Sequence, residues 1–218
     1  MKLTRVINPI VLGALFAAPL LVSVGARSEP AKGPAAPRPI ITGVPTTDQG
    51  GVAGQSRIPV EQLQVYVDGF HNSRRESGLP AAKQMQMRVT HYCQPLTADL
   101  IQCVVYDGNT KNAHLIGVEH IISDKDFQTL PAAEKKYWHP HDGEVDSGML
   151  DLPGMPAEQK KGLLEMIRTT HGKTWHVWNA HKDKIPMGTP TLMWAINPNG
   201  MNADTKRGMD ERKKDATF

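Results

Sequence analysis

Three stretches in the middle of the chain restrict the fold more than anything else in it: Gln86–Cys93 (QMRVTHYC), Leu100–Tyr106 (LIQCVVY) and Ala113–Ile122 (AHLIGVEHII). Each is rich in β-branched residues, and only short turns, QPLTAD and DGNTKN, separate them. That combination predicts an antiparallel meander. Helical patterns flank it. Val60, Leu63, Val67 and Phe70 are spaced as one face of a first helix closing near Gly78. Ser123 and Asp126 form a capping-box pattern opening a short helix, and Pro131 begins another, PAAEKKYW, at its first helical position. Pro156–Thr170 repeats Leu163, Ile167 and Thr170 at helical spacing, with Gly172 placed as its C-terminal cap. Two late strands, Thr174–Trp178 and Thr191–Ile196, complete an α+β class: an antiparallel sheet, meander plus late strands, packed with several helices.

The two ends read differently. Residues 1–26 have the form of a cleavable export signal. Lys2 and Arg5 precede the apolar run Ile10–Val24, and Val24-Gly25-Ala26 offers a cleavage site after Ala26. The mature chain is therefore expected in the periplasm or secreted, with no transmembrane span left once the signal is removed. Residues 27–56, dense in Pro, Gly and Ala, are expected to form a disordered linker. Residues 197–218, ending in NADTKRGMDERKKDATF, mix both charge signs with few apolar anchors and are expected to form a solvated tail. Hydrophobic residues at 39% leave the part between, 57–196, enough material for a core. Without the signal, 23 basic residues face 22 acidic ones, and no basic face is clustered. Nucleic acid is therefore not an expected partner.

Read in order, VDGFH, HYC, QCVVYDG, LIGVE, LPAAEKKYWHPH, HGKTWHVW and IPMGTPTLM resemble the oil body-associated protein family, which is also catalogued as a domain of unknown function. The likeness covers roughly Val67 to Met193, and the ordered series is specific where each piece alone is weak. It implies that plant relatives associate with seed oil bodies, and so a lipid surface or small apolar ligand as partner. It supplies no established catalytic residues.

Candidate chemistry centres on histidines and sulfur. Cys93 and Cys103 are the only cysteines and fall on adjacent predicted strands, so an oxidising compartment favours a disulfide between them. The alternatives are a buried free pair or a nucleophilic Cys93 beside His91. In WHPHDGEV, an extended Trp138–Asp142 would turn His139 and His141 to one side, and Asp142 or Glu144 could add a carboxylate. His91 and His176 are further candidates for completing a site for zinc or a similar divalent metal. The competing reading makes the same stretch a turn built by Pro140 and Gly143, with Glu144 paired to a lysine. His120, between Val118 and Ile122, is expected to be a hydrogen-bonded core residue. No GxSxG elbow and no phosphate-cradling glycine loop is present. Three functions stay open: lipid-surface or apolar-ligand binding, a metal-binding protein or metal-dependent enzyme, and a purely structural or interaction domain.

Overall fold

The three central strands form where their composition places them. In the computed structural model, which describes residues 55–178 and 182–214, they are β2 (Gln86–Pro95), β3 (Leu100–Tyr106) and β4 (Leu115–Ser123), all antiparallel. The export signal expected over 1–26, and the linker expected over 27–56 except for its last two residues, lie outside the described residues. Cys93 stands directly opposite Cys103 across the β2–β3 pair, with Cα atoms 4.1 Å apart, and the two form a disulfide.

The first helix is largely a strand instead. Only Ile58–Glu61 is helical (α1), and the chain then runs into β1 (Val65–Ser73), paired with β2 from Val65 to Asn72. Val60, Leu63, Val67 and Phe70 do fit a helical period, but Val65, Tyr66 and Val67 favour an extended chain. Every residue from Val67 to Ser73 is buried, so no polar face marks the two-residue alternation.

Further along, Ser123 caps α2 (Asp124–Thr129), its hydroxyl accepting from the Asp126 amide as the capping pattern predicts. Next come α3 (Ala132–Lys135), the two-residue β5 (His139–Pro140) and α4 (Asp142–Asp146). The helix expected over 156–170 is α5 (Ala157–Ile167), but Gly172 does not cap it. Gly172 lies inside β6 (Thr170–His176), and β7 (Thr191–Ala195) follows.

The sheet closes on itself. Its order runs β4-β3-β2-β1-β7-β6, and β6 pairs back with β4 from Thr170 to His176, which makes a six-stranded antiparallel barrel. Along the other edge of β6, β7 occupies the Thr174–His176 half and β5 the His171–Gly172 half. Closure removes the exposed edges that an open sheet would present. One end of the interior is apolar: Val67, Cys93, Cys103, Ile121, Leu150, Leu152 and Ile167 pack there, with Leu163 and Leu164 of α5 against them. Burying each of the larger aliphatic side chains contributes about 1.5–3 kcal/mol.

The solvated tail is also corrected, because residues Ala203–Lys214 form α6, docked outside β1 and β2. Thr205 is wholly buried, and its hydroxyl donates to Gln86 Oε1 at 2.6 Å. Arg212 reaches Asp68 Oδ1 at 3.1 Å, and Gly208 lies flat against the Phe70 ring. The polar composition misleads because this helix is anchored by hydrogen bonds and one buried ion pair rather than by an apolar stripe.

Candidate metal centre

Strand alternation sends odd-numbered residues of β1–β4 and even-numbered residues of β6 into the barrel. Cross-strand registers then stack them: Val67 opposite His91, Cys103 opposite Glu119, Glu119 opposite Thr174, and Gly117 opposite His176. His71 enters from β1, His91 from β2, Glu119 from β4 and His176 from β6. β5 and the turn into α4 fill the gap beside β7 and contribute His139, His141 and Glu144. All seven side chains are buried, none more than 5% exposed.

Their donor atoms converge on Glu119. Its Oε2 lies 2.9 Å from His91 Nε2 and 3.9 Å from His71 Nε2. Its Oε1 lies 3.4 Å from His141 Nε2 and 3.8 Å from His139 Nε2. Glu144 Oε2 stands 4.0 Å from His139 Nε2. Among the described residues, His71–His91–Glu119 and Glu119–His139–His141 each bring three donor atoms within 4.8 Å of one another. A cavity of about 20 Å³ adjoins them, bordered by His71, His91, Glu119, His141 and Glu144 and also by apolar residues of the neighbouring core, among them Val67, Ile121, Leu150 and Ile167.

Neighbouring groups set the tautomers. The Thr170 hydroxyl has one proton, donated to the Ile167 carbonyl at 2.6 Å, so its oxygen accepts from His141 Nδ1 at 2.8 Å. That bond turns His141 Nε2 toward the Glu119 carboxylate. His71 Nδ1 and His176 Nε2 share a hydrogen bond of 3.2 Å, which orients His71 from behind. Neither ring nitrogen of His139 has a hydrogen-bond partner.

Burial governs the charge states. It drives the His139 imidazole down to about 3, assisted by the nearby His141, and His176 down to about 3, assisted by His91. His71 is lowered well below its ordinary value by the same burial and by His91. Burial pushes the Glu119 carboxyl up, but hydrogen bonds and charge from His141 and His91 outweigh it and hold the group well below the usual carboxylate range. Glu144 is raised well above it by burial, then by Glu119 and Asp142. The result is an ionised Glu119 carboxylate with the neutral imidazoles of His71 and His139 beside it, neither ring nitrogen of His139 being engaged in a hydrogen bond.

Gly172 permits this crowding. A Cβ there would fall on Glu119 Oε1 and come within 2.6 Å of His141 Nε2 and 3.0 Å of His139 Nε2.

Residues 57–217 match the family described as "Protein of unknown function (DUF1264)". Oil body-associated protein 1B of Arabidopsis thaliana is 35% identical over 175 residues, 79% of this chain and 70% of that protein. Oil body-associated protein 1A of Zea mays is 33% identical over 182 residues, 83% of this chain and 74% of the relative. This chain belongs to the oil body-associated protein family. No solved structure matches it significantly.

In this oil body-associated family member, the structure brings His91, His139 and His141 together, as the sequence suggests. Glu144 joins them at the edge. His176 sits behind His71 rather than in either triad. Asp142 is exposed and accepts from the Gly143 amide instead of joining the cluster. Glu144 is buried beside His139 and pairs with no lysine among the described residues, contrary to the turn reading. His120 corrects an expectation, because it points outward and is exposed, while its neighbour Glu119 takes the interior. The nucleophile alternative for Cys93 does not hold, since its sulfur is bonded to Cys103.

His71 and Glu119 are the two members that sequence reasoning misses. His71 is hidden by the helical spacing assigned to its segment. Glu119 carries a legible signal, a lone carboxylate inside the apolar run LIGVEHII, with Gly117 and Ile121 on its own face.

Proposed function

We propose that this protein binds a divalent transition metal inside the barrel, through His71, His91, Glu119, His139 and His141, with Glu144 as an additional carboxylate. The observation that carries the reading is the gathering of buried donor atoms on Glu119: His71–His91–Glu119 and Glu119–His139–His141 each bring three within 4.8 Å of one another, and neither ring nitrogen of His139 has a hydrogen-bond partner. The His141 contact at 3.4 Å matches the spacing of two ligands on one cation, and the His139 and His71 contacts at 3.8 and 3.9 Å are slightly wider. Only His91, at 2.9 Å, stands at ordinary hydrogen-bond distance from Glu119. Ligands at about 2.0–2.2 Å in a tetrahedral shell lie about 3.3–3.6 Å apart. Imidazole and carboxylate donors favour zinc or a neighbouring first-row ion. The imidazoles at the edge of the cavity would leave room there for a metal-bound water.

Elemental analysis of protein prepared without an affinity tag and dialysed against zinc tests the proposal. At least one ion per chain is expected. Less than about a tenth of an ion would return the cluster to a structural ion-pair network.

A second reading, binding of a small apolar ligand or lipid surface, draws support from a different place. An apolar pocket of about 230 Å³ lies between α5 and the barrel end, bordered by Val65, Ile101, Leu163 and Met166. The relatives' names point the same way. Among the described residues no helix is long and apolar enough to cross a membrane. Sedimentation with phospholipid vesicles no better than an unrelated protein would remove this reading. Export, expected from residues 1–26, is in keeping with the Cys93–Cys103 disulfide.

A further inference from the structure

We propose that the barrel holds two ions rather than one, with Glu119 bridging them; this rests on the metal reading above. Two donors on a single ion can be no further apart than about 4.2 Å, twice a metal–nitrogen bond of about 2.1 Å. The donor atoms gather into two triads, each within 4.8 Å, rather than one set of five. Glu119 is the shared member, and it divides its oxygens between them. Oε2 serves His71 and His91 on one side, and Oε1 serves His139 and His141 on the other. A carboxylate spanning two ions in this way fits the roughly 3.5–4 Å spacing of two-metal sites.

The surroundings of each half agree. Glu144 lies beside His139 and gives the second triad a carboxylate of its own. His176 supports His71 in the first, and Thr170 supports His141 in the second. Two divalent ions against two carboxylates leave an excess of positive charge that a buried site must offset. The cavity of about 20 Å³ has room for one water-sized ligand, since roughly 10–15 Å³ is enough to hold a water. Hydroxide bound between the ions would fill it and reduce the excess.

Manganese is the probe for a test on the full chain. The tag-free protein is stripped with chelator, loaded with Mn²⁺, freed of excess metal, and measured by elemental analysis and electron paramagnetic resonance. Two ions per chain with the multiline signal of an exchange-coupled pair is the expected result. The Glu119→Gln chain, which keeps one acceptor but loses the bridge, should hold at most one ion and show no coupling. One ion per chain in the unaltered protein, or two without coupling, would overturn the two-ion arrangement and leave the metal reading standing. No bound ion would overturn both.

Discussion

At the scale of single residues, Gly172 is the most exacting position in the barrel. It takes its place through the space it leaves, since a methyl group there would strike Glu119 and crowd His139 and His141. A Gly172→Ala chain should keep its far-ultraviolet circular dichroism, because the strand pairing remains. Its zinc affinity, measured by titration calorimetry, should fall more than tenfold. Overpacking should also destabilise it by about 1–3 kcal/mol. Unchanged affinity would mean that the three side chains do not act together on a ligand. The histidine pair of WHPH is legible because alternation predicts a common side for His139 and His141, and the structure buries both. Glu119 is harder to read, because both faces of LIGVEHII carry apolar residues and no period of two distinguishes inside from outside. His120 is mistaken for the interior residue for the same reason.

At the scale of elements, local chemistry is read well wherever it decides the structure by itself. β3 lies over Leu100–Tyr106 as expected, and Ser123 caps α2 as its spacing with Asp126 implies. β1 and α6 are misread because their conformations depend on partners distant in sequence. β1 is extended because β2 pairs with it, and α6 is held by Gln86 and Asp68. Asp68 is 1% exposed and bound by Arg88 at 2.8 Å and Arg212 at 3.1 Å. Arg212 also donates to the Met149 and Gly148 carbonyls and so ties α6 to the segment after α4. Arg212→Ala should therefore lower unfolding free energy in urea by about 1–3 kcal/mol, the range for leaving buried polar groups without a donor. A change under about 0.5 kcal/mol would mean that the end of the chain contributes no more than the solvated tail its composition suggests.

At the scale of the whole molecule, closing the barrel is what concentrates the histidines, and their burial makes the metal-free fold acid-sensitive. His139 and His176 are held at about 3 in the folded chain, against 6.5 when freely solvated. Between those values the unfolded chain binds more protons, so stability is full above the unfolded value and falls as pH drops through the window. His71, also lowered, acts in the same direction. In chelator, unfolding free energy should fall by about 2–4 kcal/mol between pH 7 and pH 5. A flat profile would contradict neutral, buried imidazoles. Barrel closure itself is invisible to a reading by segments, since it depends on β6 pairing with β4 across the whole of residues 124–169. The meander at its centre is plain from composition.

Anomalous diffraction from a crystal of the zinc-loaded protein, collected on either side of the zinc edge, locates any metal in the barrel. Peaks are expected inside the barrel, within bonding distance of Glu119 and the His71–His91 and His139–His141 pairs. Zinc found only on the outer surface, with the interior histidines in direct contact with Glu119, would contradict a metal centre there.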